Sequence, residues 1–197
     1  MHLIRRIVDA RPQPKGDTIG GRQSGQDARV LGKVEIDGLI KEFYGAGMER
    51  QQKILAELTT IVDPTTRDRA LSDLCRGVPY NALNVQIPLI VHAMGSIVEA
   101  LESTSLVAMV ASRDTNRPTQ EKAMRILINN DCLDNLISVA FIARDEGIAL
   151  WAVHELGERR DSKRLKRILG APFMQDKQVE EAVLRKVREL IATIENE

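Results

Sequence analysis

The sequence predicts an all-α fold, and three features of the 197-residue chain support that prediction. Apolar residues make up 43% of the chain, which is typical of a folded domain with a core of its own. Aromatic residues make up only 3%, so Leu, Ile, Val and Ala must fill the core, which favours packed helices over a β-sandwich. From position 34 onward these aliphatic residues recur at helical spacing.

The first 33 residues are predicted to form a flexible arm outside the helical domain. Residues 3–8 are a short apolar segment, and glycines and prolines interrupt any period between residues 11 and 33. The Gly-Lys pair at 32–33 lacks the flanking residues of a phosphate-binding loop. Two adjacent arginines near the N-terminus leave a mitochondrial presequence as a minor alternative, against which the early Asp9 argues.

Residues 34–197 are predicted to form one domain of helices with short connections. Thr119 and Asp161 are predicted N-caps, Asp63-Pro64 is predicted to end the second helix, and Gly157 is predicted to end the helix around Trp151. The predicted helices cover Val34–Tyr44, Glu49–Val62, Thr65–Arg76, Val85–Glu102 with Leu106–Ser112 as its continuation after a break, Thr119–Asn129, Asp131–Phe141, Asp145–Glu158, Asp161–Leu169 and Asp176–Ile194.

The composition limits the classes of function. Basic and acidic residues number 28 each, so the chain has no global field that would attract nucleic acid. Cys75 and Cys132 share no metal-ligand spacing with the histidines, and both are predicted to be reduced core residues, which favours a cytoplasmic location. No apolar run is long enough to span a membrane. No catalytic, metal or cofactor motif is found, so the chain is predicted not to be an enzyme.

The helical part is predicted to consist of three degenerate repeats. Leu89 follows Leu39 by 50 residues, and Leu136 follows Leu89 by 47. These intervals are near the roughly 40–47 residues of two- and three-helix repeats. The predicted units cover residues 34–76, 79–113 and 118–158, with capping helices in residues 161–197.

Two stretches of the third unit carry a resemblance to a known family. TQEKAMRILINNDCLDNLISVAF, which begins at Thr119, is similar to the first two helices of an armadillo repeat, and ALWAVHE at Ala149–Glu155 is similar to its third helix. Over residues 119–158 the chain thus resembles the armadillo family and, more loosely, the HEAT family. The resemblance implies an α-solenoid, a right-handed superhelix of short helices, that binds a partner protein.

The resemblance also implies which residues bind the partner. In armadillo repeats the Trp of the third helix packs against ligand side chains, and an Asn four residues later hydrogen-bonds the peptide backbone. Trp151 matches that Trp, but Glu155 stands at the Asn position, and a carboxylate can accept hydrogen bonds but not donate them. The equivalent positions of the other units are predicted to be Leu55 and Thr59, and Glu99 and Ser103.

The location of the indole itself is left open by the sequence. Trp151 and Glu155 are four residues apart, so they share one face of a helix. Trp151 lies at the edge of the apolar stripe formed by Ile148, Ala152 and Leu156. An edge position is compatible with burial in the core and with exposure in a groove.

A basic cluster near the C-terminus is the basis of an alternative function. Its six cations are Arg159, Arg160, Lys163, Arg164, Lys166 and Arg167. Several cations on one helix face would bind phosphate groups, and hence nucleic acid, in a salt-dependent way. The same pattern is typical of a solvated helix face, whose charge the acidic residues of the last helix are expected to neutralise.

The last helix is predicted to seal the end of the stack. Its apolar residues, at Val179, Val183, Val187, Leu190 and Ile194, have nearly heptad spacing. A homodimer through this helix is the alternative. The leading functional prediction is a protein-interaction module or scaffold subunit, and an enzyme of unrecognised type or a purely structural subunit stays open.

Overall fold

A computed structural model describes residues 30–170 and 177–196, and the predictions for residues 1–29 and for the break at 171–172 lie outside these ranges. The described residues form α-helices and no strand, so the all-α prediction is confirmed. Short 3-10 helices at Tyr80–Ala82 and Val98–Ala100 precede the fourth and fifth α-helices. None of the described helices has the length and apolar character needed to cross a membrane. The α-helices are α1 (Lys33–Gly45), α2 (Met48–Thr59), α3 (Pro64–Gly77), α4 (Leu83–Ser96), α5 (Thr104–Arg113), α6 (Arg117–Asn129), α7 (Leu133–Ile142), α8 (Glu146–Glu158), α9 (Ser162–Leu169) and α10 (Lys177–Glu195).

Side-chain caps fix the starts of several helices. Asp161 accepts a hydrogen bond from the Arg164 N–H (2.9 Å) and caps α9, as predicted. Asp63 accepts one from the Thr66 N–H (2.8 Å) and caps α3. The prediction that Asp63-Pro64 ends the second helix is therefore imprecise: the pair begins the third, because Pro64 is compatible with the first helical turn.

Three other predicted boundaries are wrong. The cap of α6 is Asn116, whose side chain accepts from the N–H of Thr119, the residue predicted to be the cap. The predicted long helix over 85–102 ends with α4, and a 3-10 helix follows. Gly157 lies inside α8 and not at its end, and it is buried because a Cβ there would approach the methyl groups of Leu190 to 2.8 Å. Gly157 thus permits close packing of α8 against α10.

A buried ion pair in α3 holds the chain that leads into α5. Arg67 and Asp68 are 6% and 5% exposed, and the Arg67 Nε–H donates to Asp68 Oδ1 (3.2 Å). Asp68 Oδ2 accepts the backbone N–H groups of Glu102 and Ser103, each at 2.7 Å, and the Arg67 guanidinium donates to the Ala100 carbonyl. A carboxylate from α3 therefore takes the place of a side-chain cap at the entry to α5.

The helices pack mainly against their neighbours in the chain and against the helix two places further on. On one side α2 contacts α4, α4 contacts α6, α6 contacts α8, and α8 contacts α10. On the other side α1 contacts α3, α5 contacts α7, and α7 contacts α9. The buried aliphatic side chains of successive helices form one continuous core.

The apolar stripe of α10 faces its own chain. Val179, Val183 and Val187 are buried, and α10 packs against α8 and α9. This arrangement agrees with the predicted sealing role. A homodimer through the same stripe would have to displace that packing.

Two consecutive helix pairs match in length and in their ends. The helices α5 and α7 begin at residues 104 and 133, and α6 and α8 begin at residues 117 and 146, so both pairs are offset by 29 residues. The residues that follow α6 and α8, Asp131 and Arg160, both have a φ of 53°. The predicted interval of 47–50 residues does not relate these matching elements, since Leu39, Leu89 and Leu136 lie in α1, α4 and α7.

Acidification is expected to weaken the start of α8. Asp145 Oδ1 accepts the Ile148 N–H at 2.9 Å and also a hydrogen bond from the Arg117 guanidinium of α6. Burial raises the pKa of Asp145, but these two interactions outweigh it and hold the pKa below its usual value. A carboxyl with a depressed folded pKa stabilises the protein above its unfolded pKa of about 3.9. That contribution is lost as the pH falls through the folded value.

The variant Asp145→Asn isolates the charge, because Asn is also a good N-cap. We expect it to lower the free energy of unfolding at neutral pH by less than about 1 kcal/mol, since the side chain is partly exposed. We also expect a shallower fall in stability below about pH 4. Urea denaturation over that pH range measures both effects, with Glu181→Gln on the exposed face of α10 as the control. A fall as steep as that of the wild type would contradict the prediction.

Candidate functional site

The indole of Trp151 is partly exposed on α8 and is held on two sides. Its Nε1–H donates to Glu155 Oε1 at 3.0 Å, one turn further along the helix. The guanidinium carbon of Arg125, on α6, lies 5.8 Å from the ring centroid. This is a cation–π distance, and such a contact contributes about 0.5–1 kcal/mol at an exposed site. We call Trp151, Glu155, Arg125 and the neighbouring Arg159 the Trp151 surface.

Both carboxylate oxygens of Glu155 are engaged within this surface. Oε1 accepts from the indole, and Oε2 accepts from Arg159 Nη1 at 2.9 Å. Arg159 also donates to Asp131 Oδ1 (3.1 Å) and to the Ile128 carbonyl (3.3 Å), so it ties α8 to the end of α6. Glu155 therefore positions the indole and does not present a free acceptor to a peptide backbone.

The predicted pair Leu55 and Thr59 lies on α2, in a groove against α4. Leu55 is buried, while Thr59 is partly exposed and donates its hydroxyl to the Ala56 carbonyl (3.0 Å). The groove has a volume of about 340 Å³, and Leu89 and His92 line its other wall. Since α2, α4, α6 and α8 pack in succession, this groove lies on helices of the same series as the Trp151 surface.

The predicted pair Glu99 and Ser103 does not share a helix face. Glu99 lies in the second 3-10 helix, where it forms an ion pair with Lys122 Nζ of α6 at 2.8 Å. Ser103 precedes α5, and its backbone N–H is held by Asp68. The helix break at α4 separates the two residues, so they have no common surface like that of Trp151 and Glu155.

Most cations of the predicted basic cluster are already paired with carboxylates. The ion pairs join Arg159 to Glu155 and Asp131, Arg164 to Asp134 and Asp161, Arg167 to Asp134, and Lys166 to Glu195. Hydrogen bonds from Arg164 and Arg167 hold the pKa of Asp134 below its usual range. Within the described ranges Lys163 forms no ion pair. The neutralising carboxylates come mainly from α7, α8 and the helix caps, and not from the last helix as predicted.

Sequence reasoning missed Arg125. Its position on α6 is 26 residues before Trp151, and no local pattern links the two. Only the side-by-side packing of α6 and α8 brings the guanidinium over the indole. Comparison with family models, with curated proteins and with solved structures finds no match to this chain.

Proposed function

We propose that the chain is a non-enzymatic helical-repeat module that binds a protein partner through the Trp151 surface. The observation that carries the proposal is the partly exposed indole, fixed in place by Glu155 on its own helix and Arg125 on the next. A rigid aromatic side chain that needs no further ordering is a typical binding hot spot, because little entropy is lost when a partner covers it. A location in the cytoplasm remains a prediction.

An α-solenoid supports this proposal. The alternating packing of odd- and even-numbered helices and the 29-residue offset of two helix pairs are what a stack of two-helix units would give. This unit is shorter than the roughly 40–47 residues of armadillo and HEAT repeats. We therefore propose a two-helix unit, with α2, α4, α6 and α8 lining one face. The armadillo resemblance is kept for the α8 sequence alone.

Nucleic-acid binding by residues 159–167 remains the alternative proposal. It has less support, because Arg159, Arg164, Lys166 and Arg167 would have to leave existing carboxylate partners before they could bind phosphates. Such a loss would offset much of the gain from each phosphate contact.

The proposal is tested by affinity capture with matched baits. We expect a protein that the wild-type bait retains to bind at least about 30-fold more weakly to Trp151→Ala, which corresponds to a hot-spot loss of about 2 kcal/mol. The matched control is Tyr80→Ala, which removes an aromatic ring that is 92% exposed and lies before α4. Circular dichroism checks that both variants are folded.

Two outcomes would count against the Trp151 surface. Equal retention of every partner by the wild type and Trp151→Ala would contradict it. Recovery of nucleic acid by both baits, with release at high salt, would favour the basic cluster instead.

A further inference from the structure

A second surface lies on the other series of helices, around a cavity of about 420 Å³. The cavity lies where α3, α5 and α7 end and α4 begins, and its walls include Ile87, Met109 and Ile142. A volume of this size is typical of a pocket that takes a side chain cluster or a small ligand. None of its lining residues belongs to the Trp151 surface.

The charge of this cavity is entirely positive. Arg76, Arg113 and Arg144 line it, and no Asp or Glu does. Arg76 is paired with Asp73 outside the lining (3.2 Å). Within the described part of the chain the guanidinium groups of Arg113 and Arg144 have neither a carboxylate nor a hydrogen-bond acceptor.

The two unpaired arginines are neighbours. The backbone N–H of Arg144 donates to the carbonyl of Ser112, the residue before Arg113, at 3.4 Å. Arg113 is partly buried, and burial together with the nearby charge of Arg144 lowers its pKa. Two like charges in this position cost free energy unless an anion lies between them.

Apolar groups continue from the cavity onto the surface. Leu83 lines the cavity and is 37% exposed, and Tyr80 and Val85, on the same short stretch, are 92% and 59% exposed. Pro88 also lines the cavity, and because proline has no N–H the carbonyl of Asn84 receives no bond from that residue. The site thus offers guanidinium donors, a backbone acceptor and an apolar border wider than the cavity itself.

We propose that this cavity docks an acidic, apolar segment of a partner protein, with one Asp or Glu carboxylate between Arg113 and Arg144 and an adjacent aliphatic side chain in the cavity. Charge complementarity selects the carboxylate, since two guanidinium groups can bind it with charge-assisted hydrogen bonds. The exposed apolar residues before and within the first turn of α4 favour a polypeptide over a small molecule. The inference rests on the proposed function only in that the occupant is a protein, and it uses a different surface.

A purely structural role for Arg113 makes an opposite prediction. Arg113 is in the last turn of α5, where a cation is stabilised by the helix dipole. If that were its role, Arg113→Met would lower the melting temperature. If Arg113 is kept for binding, removing an unpaired, partly buried charge should raise the melting temperature by about 2–4 °C.

Binding is tested with the full chain and a displayed library of random 12-residue peptides, joined to the carrier at their C-terminal ends so that only side-chain carboxylates are available. We expect selected peptides to carry Asp or Glu beside Leu, Ile, Val or Phe. The double variant Arg113→Ala with Arg144→Ala should weaken their binding about tenfold or more. Arg185→Ala with Arg188→Ala removes the same charge from the exposed face of α10 and should leave binding unchanged.

Each remaining outcome overturns the proposal. Peptides without acidic residues, no selected peptide, or equal binding to both double variants would do so, as would a lower melting temperature for Arg113→Met. Octanoate that binds the wild type in a way that depends on Arg113, with no peptide selected, would identify a small carboxylate as the occupant. Because Trp151→Ala leaves this cavity intact, failure here and failure of the Trp151 surface are distinguishable.

Discussion

Replacement of Asp68 by Ala is expected to lower the free energy of unfolding by about 3–5 kcal/mol, a large share of the stability of a typical domain. Two costs combine in this variant. Arg67 would keep a buried positive charge without a carboxylate, and the N–H groups of Glu102 and Ser103 would lose their acceptor at the entry to α5. Urea denaturation of the full chain measures the loss.

The same helix provides the control. Asp73→Ala removes a carboxylate that forms ion pairs with Arg69 and Arg76 at the surface, so its effect should stay within about 0.5 kcal/mol. A double-mutant cycle with Arg67→Met should give a coupling energy of about 0.5–3 kcal/mol with Asp68→Ala. Equal losses for Asp68→Ala and Asp73→Ala would show that the buried pair does not support the α3–α5 connection.

Local sequence patterns predicted the helices well because the relevant signals are local. Spacing of aliphatic residues located each helix, and a capping carboxylate followed by a bonded N–H three residues later fixed the start of α9. The relation between Trp151 and Glu155 was also predictable, since a separation of four residues places both on one face. What these patterns could not distinguish was a helix start from a helix end, as at Asp63-Pro64.

Interactions between distant residues were beyond the reach of the same reasoning. Asp68 contacts a backbone segment more than 30 residues away, and nothing in the sequence around it marks it as a buried cap. The two arginines of the second cavity are 31 residues apart, at the ends of α5 and α7, and they meet because those helices pack side by side. The repeat interval was mistaken because aliphatic residues recur in every helix, so many intervals give similar matches.

Phe43→Ala is expected to cost about 3–5 kcal/mol, but to disturb only one end of the molecule. Phe43 is fully buried in α1, packs edge-to-face against Tyr44 with ring centroids 5.9 Å apart, and its carbonyl accepts from Gln51 of α2 (3.0 Å). The main contacts of α1 are with α2 and α3, so the cavity left by the ring should release these helices first.

Amide hydrogen exchange measures this localisation directly. Protection should fall in α1 and α2 of Phe43→Ala while the amides of α7 to α10 keep their wild-type protection. Met48→Ala, which truncates an exposed side chain at the start of α2, should change neither. If protection fell equally in every helix, the chain would unfold as one cooperative unit. The two-helix stack would then not describe its energetics, because in such a stack each unit is stabilised chiefly by its nearest neighbours.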